Sequence, residues 1–412
     1  MTAIDATEIE ALDAADPLAP FRDEFQLRDG LIYLDGNSLG ALPKASIARM
    51  ADAVSREWGE GLITSWLGAD WVNAPRRIGD KIGALLGANP GEVIVADSTS
   101  VNIFKALAAA LSLRPDRHVI LSEGTNFPTD VYMMQGIEAF SGGRVQSVAV
   151  DPEAVLDALD ETVAVLLLTQ VHYKSGLVRD MAEVTRRAHE KGVLVIWDLS
   201  HSAGAIEVDL NRANADFAIG CGYKYLNGGP GAPAYIFVAE RHQQAAQPLS
   251  GWFGHARPFA FEEHYAPAPG IERFLCGTPQ VLGLAALECG VDIFGRVDMA
   301  EVRRKSLRLG ALFMERMEER CGEFGFMLVS PRDPALRGSQ IAYAHPHGYE
   351  IMQALKERDV IGDFRAPDVL RFGLTPLYLR YADIVEAVER LRDVCVTRAW
   401  DRPQYRERAA VT

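Results

Sequence analysis

Asp198 and Lys224 each follow an apolar run of the sequence, where a charged side chain is unusual. Asp198 ends the run VLVIWD (193–198), and Lys224 comes three residues after the run DFAIGC (216–221). Burying a carboxylate is costly unless it is paired, so Asp198 predicts a cationic partner, for which a pyridinium nitrogen or an arginine would serve equally. A partly desolvated lysine can form a Schiff base. Most lysines only solvate the surface, but the aromatic neighbours of Lys224 favour a chemical role.

Hydroxyl and aromatic side chains follow two earlier runs of the same kind. Thr99 and Ser100 come after the run EVIVA (92–96) and open a helix predicted over 101–113. Free N–H groups at a helix start suit a phosphate, although the same residues would also serve as plain helix caps. Phe127 lies on a Pro-fixed loop after the next run, where its ring would stack on a flat ligand or simply pack. The chain order of phosphate loop, aromatic loop, strand-end acid and strand-end lysine fits a site for pyridoxal phosphate.

The runs that carry these residues predict a sheet with helices on both faces. Short apolar runs, many of them β-branched, alternate with helix-like segments such as 181–191, which predicts a largely parallel sheet. Ligands of such sheets bind beyond the carboxyl ends of the strands, where the polar and aromatic loops lie. The predicted strands cover residues 92–96, 118–122, 144–150, 163–169, 193–198, 216–221 and 234–239.

A different pattern begins near Asp298 and predicts a second, smaller α+β domain. Amphipathic helices are predicted over 299–320, 349–358 and 381–400, with a strand around 369–374. The N-terminal stretch is predicted to join this smaller domain or to bridge to it. Chain length supports the division, because 412 residues exceed what one simple core usually holds.

Composition argues against several classes of function. The formal net charge of -14 disfavours a nucleic-acid-binding protein, which needs a basic face. No apolar run approaches the length of a membrane span, and the N-terminus lacks the basic start and apolar core of a signal peptide. The five cysteines form no CxxC pair, and their odd number favours free thiols in a reducing compartment over a disulfide framework. We therefore expect a cytoplasmic protein.

Six strings of the sequence together resemble the kynureninase family. The most specific are YKYLNGGPG (223–231) and GWFGH (251–255), and the resemblance covers nearly the whole chain. It implies an α/β protein of the aspartate-aminotransferase-like fold, which is fold type I of the PLP-dependent transferases. Such a protein has a large PLP-binding domain with a mostly parallel seven-stranded sheet, here residues 51–290, and a smaller α+β domain, here 1–50 with 291–412. The strings lie at 33–40, 126–130, 198–204, 222–229, 251–255 and 371–378.

The resemblance assigns roles to the residues that the apolar runs single out. Lys224 would hold the cofactor, pyridoxal 5'-phosphate, as a Schiff base and move the Cα proton of the substrate. Asp198 would keep the ring nitrogen of the cofactor protonated. Tyr223 would contact the phosphate, and it is the candidate acid or base at the substrate ketone. The cofactor-binding residues implied by position are Thr99, Ser100, Phe127, Asp130, Thr169, Asp198, His201, Tyr223, Lys224, Trp252 and Thr278.

The same resemblance implies a substrate clamp and a second subunit. Arg371 would grip the α-carboxylate of the substrate with its planar guanidinium, and Asn37 and Trp66 would be further substrate-binding residues. Trp252 and Thr278 would reach the phosphate from the neighbouring subunit, which implies a homodimer whose active site is shared across the interface. The resemblance implies no metal.

The implied reaction is hydrolysis of L-kynurenine to anthranilate and L-alanine, a step of tryptophan degradation and of the kynurenine pathway toward NAD. Trp66 and the pair Gly277–Thr278 depart from the animal members of the family, which carry a His and a Ser-Asn pair at these positions. The departures favour kynurenine over 3-hydroxykynurenine as the substrate.

Two alternatives remain open at the level of sequence. A cysteine desulfurase or class V aminotransferase would share the fold, and a desulfurase would need a reactive thiol, for which Cys276 is the one tempting candidate. A non-enzymatic, cofactor-binding regulator would carry an added DNA-binding or partner module, for which the chain has no spare length. The presence of both Lys224 and Arg371 favours turnover over binding alone.

Overall fold

A computed structural model of the chain describes residues 6–408. No helix in this range combines the length and the apolar composition that crossing a membrane requires. The α-helices are α1 (Ala6–Ala14), α2 (Lys44–Asp52), α3 (Ser65–Gly68), α4 (Ala74–Leu85), α5 (Thr99–Ser112), α6 (Pro128–Phe140), α7 (Met181–Glu190), α8 (Val281–Phe294), α9 (Met299–Cys321), α10 (Gly348–Lys356) and α11 (Tyr381–Val396). The strands are β1 (Ile32–Tyr33), β2 (Val93–Val95), β3 (Val119–Glu123), β4 (Gln146–Val150), β5 (Val163–Thr169), β6 (Leu194–Asp198), β7 (Phe217–Cys221), β8 (Ala234–Val238), β9 (Met327–Leu328), β10 (Gln340–Ala344), β11 (Val360–Ile361), β12 (Asp363–Arg365) and β13 (Val369–Gly373).

A seven-stranded sheet forms the centre of the molecule, in the strand order β2-β8-β7-β6-β5-β3-β4. The strands from β7 to β4 in this order run parallel to one another, whereas β8 is antiparallel to both of its neighbours. Each strand that the sequence predicts for this region overlaps one strand of the sheet. The predicted α/β fold with a mostly parallel sheet is therefore confirmed.

Except for the edge strand β4, the strands of this sheet are buried on both faces, which explains why they are largely apolar runs. In β6, Val195 and Trp197 pack into one hydrophobic cluster, and Leu194 and Ile196 pack into a second cluster. Because side chains alternate along a strand, the two clusters lie on opposite faces of the sheet. Every residue of β6 is buried, including the last one, Asp198. The Asp198 carboxylate is therefore held at the carboxyl end of the strand.

A four-stranded antiparallel sheet, in the order β12-β13-β10-β9, lies in the C-terminal part of the chain beside α9, α10 and α11. The helices and the strand predicted for this region are present. The last helix ends at Val396, so its predicted end at Trp400 is wrong. The chain leaves the helix because Arg398 adopts a left-handed backbone conformation with φ of 50°, and residues 397–400 form a turn.

The N-terminal stretch contacts both parts of the molecule. β1 pairs with β11, and the Asp13 carboxylate accepts hydrogen bonds from the backbone N–H groups of Tyr381 and Ala382 at 2.7 and 3.1 Å. These contacts tie the stretch to the C-terminal region, while α2 packs against α8. The division of the chain at residues 50 and 290 stays a prediction.

Candidate active site

A cavity of about 500 Å³ opens beyond the carboxyl ends of three parallel strands. Thr169 ends β5, Asp198 ends β6, and Lys224 follows β7 by three residues. Parallel pairing of these strands brings the three residues to one edge of the sheet. The predicted site residues that line the cavity are Thr99, Ser100, Phe127, Thr169, Asp198, His201, Tyr223 and Lys224.

Asp198 is almost fully buried at this edge, with 3% of the residue exposed. Thr169 is the register partner of Asp198 on β5. The Oδ1 atom of Asp198 accepts a hydrogen bond from the backbone N–H of Ser200 at 2.7 Å. Burial raises the pKa of Asp198, and the nearby charge of Lys224 opposes this rise. A second cation in the cavity would favour the ionised carboxylate further, and the protonated ring nitrogen of pyridoxal phosphate is a cation of that kind.

A second carboxyl group, that of Asp130, lies near Asp198 but does not line the cavity. Asp130 is fully buried in the first turn of α6, and its Oδ2 atom lies 3.4 Å from the hydroxyl of Thr169. That hydroxyl donates a hydrogen bond to the Asn126 side chain. Burial, followed by the negative charge of Asp198, raises the pKa of Asp130 well above its usual range. Ionisation of Asp130 is therefore disfavoured, and Asp198, which lines the cavity, is the better candidate to carry the negative charge.

Lys224 and His201 are both buried and face each other in the cavity. The Nζ atom of Lys224 lies 3.0 Å from Nε2 of His201. Burial, followed by the positive charge of Lys224, lowers the pKa of His201 well below its usual range. The imidazole is therefore neutral and accepts a hydrogen bond from the amine. Its Nδ1 atom is buried without a hydrogen-bond partner among residues 6–408.

Aromatic rings flank the amine of Lys224. The centroid of the Phe127 ring lies 5.6 Å from Nζ, and that of the Tyr223 ring lies 5.9 Å from it. Phe127 directly precedes Pro128, the first residue of α6, and its ring packs edge-on against Tyr173 with centroids 5.2 Å apart. A flat ring joined to the amine would lie beside Phe127, which fits the pyridine ring of the cofactor.

The cavity also receives the N-terminus of α5. Thr99 and Ser100 are the first two residues of this helix, and the side chain of Ser98 accepts a hydrogen bond from the N–H of Val101 at 3.4 Å. N–H groups in the first turn of a helix have no partner within the helix, and the helix dipole favours an anion there. This end of the cavity therefore fits the phosphate of the cofactor. Asp97 lines the same end.

Arg371 is buried in β13 and does not line the cavity. Its Nε atom donates a hydrogen bond of 2.7 Å to Oδ1 of Asp363, its register partner on β12, and Nη2 donates to the other carboxylate oxygen. Nη2 also donates to the Ser38 hydroxyl at 3.1 Å, and Nη1 donates to the backbone carbonyl of Tyr173, a residue that does line the cavity. Arg371 is thus held rigidly and linked to the cavity through Tyr173.

Four further predicted residues lie outside the cavity of their own chain. Asn37 is fully buried, and both polar atoms of its side-chain amide lack hydrogen-bond partners in the described part of the chain. The Trp66 ring packs against Phe253, with centroids 5.4 Å apart. Trp252 is 37% exposed and Thr278 is exposed. One subunit by itself does not bring these residues to the cavity.

Sequence reasoning singles out neither Tyr173 nor Asp363. Tyr173 comes four residues after β5, so the strand-end rule that selects Asp198 could have found it. Asp363 had a weaker signal, the turn-forming pair Pro367–Asp368. That turn closes a hairpin in which Asp363 lies opposite Arg371. A hairpin predicted from this turn could therefore have paired the negative charge of Asp363 with the positive charge of Arg371.

Comparison with known proteins gives close relatives over the full length of the chain. The model of the kynureninase C-terminal domain family matches residues 302–391. A kynureninase from Burkholderia pseudomallei (strain K96243) is 52% identical over 411 residues, which cover 98% of this chain and 99% of that protein.

Solved structures with low sequence identity share the fold. An apo cysteine desulfurase from Thermococcus onnurineus NA1 has a TM-score of 0.76 and 16% identity, and the match covers 92% of this chain and 98% of that chain. A mutant of C-DES with glycine covalently linked to its PLP cofactor has a TM-score of 0.76 and 18% identity, with coverage of 90% and 99%. At these identities the likeness shows the fold alone.

The alternatives left open by the sequence are decided by the full-length relative. Cys276, the residue that a desulfurase would have to use, is half-buried, and its backbone carbonyl accepts a hydrogen bond from the N–H of Phe253 at 3.1 Å. Identity of 52% over nearly the whole chain identifies an enzyme rather than a regulator, and a kynureninase rather than a desulfurase. The chain belongs to the kynureninase family of pyridoxal-phosphate enzymes.

Proposed function

We propose that this enzyme hydrolyses L-kynurenine to anthranilate and L-alanine with pyridoxal phosphate held on Lys224. The observation that carries the proposal is a single cavity into which Lys224, Asp198 and Phe127 all project. In the reaction the bond between Cβ and Cγ of the substrate breaks, and one water is consumed. Its hydroxyl goes to the carbonyl carbon of anthranilate, and a proton goes to Cβ of alanine.

The residues around the cavity would hold the cofactor at three points. The start of α5 at Thr99 and Ser100 would bind its phosphate, Phe127 would lie against its ring, and Asp198 would pair with the ring nitrogen. Bound in this way, the cofactor supplies a sink for the electron pairs left on Cα and Cβ of the substrate. Asp130, whose ionisation is disfavoured by burial and by the charge of Asp198, would leave the negative charge to the Asp198 carboxylate, which lines the cavity.

Three side chains are proposed to handle protons. The amine of Lys224, once freed by the substrate amine, takes the proton from Cα. His201 accepts a hydrogen bond from that amine and orients it without adding a positive charge. Burial, followed by neighbouring negative charge, raises the pKa of Tyr223. Tyr223 therefore keeps its proton at neutral pH and is the candidate donor at the ketone end of the substrate.

Arg371 is proposed to bind the α-carboxylate of the substrate. Asp363 holds its guanidinium plane by two hydrogen bonds, so the direction of the remaining donors is fixed. One N–H of Nη1 has no partner among residues 6–408, and we propose that a substrate carboxylate beside Tyr173, which lines the cavity, would accept from it. Asn37, whose buried amide has no partner in the same range, is proposed as a further polar contact to the substrate.

A homodimer with a shared site is part of the proposal. Trp252 and Thr278 are exposed in the single chain, so a second copy would have to bring them to the cofactor phosphate. A long segment of exposed apolar side chains supports a partner surface, because monomers rarely expose so many. These side chains are Leu42, Ile47, Val54, Trp58, Leu62, Ile63 and Leu67.

Substrate preference, domain limits and location complete the proposal. Trp66 in place of a His and the pair Gly277–Thr278 in place of the Ser-Asn pair of the animal members support kynurenine over 3-hydroxykynurenine. The division into 51–290 and 1–50 with 291–412 is retained. The five free cysteines support a reducing cytoplasm, and degradation of tryptophan together with supply of NAD is the proposed setting.

The deciding experiment gives the purified enzyme, saturated with pyridoxal phosphate, either L-kynurenine or 3-hydroxykynurenine and follows the aromatic product of each. We expect anthranilate from kynurenine with the higher kcat/KM, and alanine in equal amount. Absence of an aromatic product from both compounds would sink the proposal. A higher kcat/KM for 3-hydroxykynurenine would overturn the substrate preference alone.

A further inference from the structure

Lys105 is a fully buried lysine in α5 that the proposed reaction does not use. Its Nζ atom forms an ion pair with Asp97 and donates a hydrogen bond to the backbone carbonyl of Phe274. Lysines are almost never fully buried unless they are paired, because an ammonium group loses strong hydration on burial. The role of Lys105 can therefore be inferred from its charged partner, Asp97.

Asp97 lies at the bend between β2 and α5, with φ of 52°, and it lines the end of the cavity where α5 begins. Its side chain remains 24% exposed, whereas that of Lys105 is completely covered. A carboxylate at this point works against the site, because it repels a phosphate placed at the first turn of the helix.

We infer that Lys105 is a positioning residue that neutralises Asp97 and so allows the start of α5 to bind the phosphate of the cofactor. Lys105 does not line the cavity, so it acts through Asp97 and not by direct contact. Its second bond, to Phe274, ties α5 to the loop that leads to Thr278. This inference rests on the proposed function, since it takes pyridoxal phosphate as the ligand.

The chain offers a matched control in Lys305. This lysine is also buried, forms an ion pair of 2.6 Å with Asp16 and donates a hydrogen bond of 2.6 Å to the backbone carbonyl of Pro376. It lies in α9, in the C-terminal region, and does not line the cavity. If Lys105 served only to stabilise the fold, Lys105→Met and Lys305→Met would have the same kind of effect.

The test compares the affinity for pyridoxal phosphate with that for pyridoxal, which lacks the phosphate, by titrating the visible absorbance of each complex. We expect Lys105→Met to weaken binding of pyridoxal phosphate by about tenfold to a hundredfold and to change pyridoxal binding far less. Adding Asp97→Asn to this variant should restore most of the lost affinity, because the uncompensated charge is removed. Lys305→Met should leave the ratio of the two affinities unchanged.

Equal losses for both ligands, or no recovery in the double variant, would overturn the inference. If Lys105→Met does not fold, the same two affinities are measured for Asp97→Asn alone. This variant leaves the positive charge of Lys105 without its carboxylate partner. The preference for pyridoxal phosphate over pyridoxal must then rise, and an unchanged or lower preference overturns the inference. A wild-type enzyme that bound no pyridoxal phosphate would instead refute the proposed function, so the two failures can be told apart.

Discussion

The Nζ atom of Lys224 lies 3.0 Å from Nε2 of His201, although the two residues belong to loops after different strands. His201 follows β6 and Lys224 follows β7, and these strands pair in parallel, so their loops meet at one edge of the sheet. Because burial keeps the imidazole neutral, the amine has a hydrogen-bond acceptor beside it and no second positive charge. Both features suit an amine that must bond to a carbonyl carbon.

The two buried carboxyl groups of the site should respond differently to the same substitution. Asp198→Asn is expected to lower kcat for kynurenine by about a hundredfold or more, because an amide cannot stabilise a protonated ring nitrogen. Asp130→Asn should lower it by less than about tenfold, because burial and the charge of Asp198 already disfavour a negative charge on Asp130. Steady-state rates at saturating cofactor would measure both effects. Similar losses in the two variants would contradict the assignment of the charge to Asp198.

The candidate residues that follow strands of the central sheet were predictable from their place in the sequence, whereas the signal for Asp363 was weaker. Asp198 and Lys224 stand out because full burial of β6 and β7 makes their preceding runs apolar, and a charge after such a run is conspicuous. The partner of Arg371 could not be read in this way, because Asp363 comes to it through an antiparallel hairpin of the smaller sheet. Trp252 could be identified by resemblance, but the single chain does not bring it to the cavity.

Arg371 should be irreplaceable by lysine if it clamps the substrate carboxylate. Arg371→Lys is expected to raise KM for kynurenine by about tenfold or more, because an ammonium group cannot bond to Asp363 and a second carboxylate in one plane. The loss in kcat should be smaller. Arg358→Lys, at an ion pair with Asp393 on the surface, is the control and should leave KM unchanged. A fall in kcat with KM unaltered would contradict the clamp.

We expect Asp35 to make the stability of the folded protein depend on pH. Burial, followed by the negative charge of Asp363, raises the pKa of Asp35 from its ordinary value of 3.8 to about 7. Its Oδ1 atom is buried without a hydrogen-bond partner among the described residues. The folded protein therefore holds a proton that the unfolded chain releases, so stability falls as pH rises from about 4 to about 7 and levels off above that.

Asp35→Asn removes this titration and should gain stability relative to wild type over the same pH range. The gain between about pH 4 and about pH 8 should reach up to about 4 kcal/mol, measured by urea unfolding. Asp359→Asn, at a carboxylate that is 42% exposed, serves as the control and should show a much smaller change with pH. If the gain in the free energy of unfolding of Asp35→Asn over wild type shrank as pH rose, the result would contradict a raised pKa of Asp35.

The shared site can be tested by combining two variants that each lack one residue of the proposed site. Lys224→Ala should abolish turnover and the absorbance of the covalently held cofactor, and Trp252→Ala should remove a contact to the cofactor phosphate. If Trp252 acts across the dimer interface, a mixed dimer has one site with Lys224 from one chain and Trp252 from the other. Random assortment then restores about a quarter of the wild-type sites.

If Trp252 acts within its own chain, every mixed site lacks one of the two residues. Coexpression would then give no more activity than the separate variants, and the shared site would be wrong even if sedimentation showed a dimer.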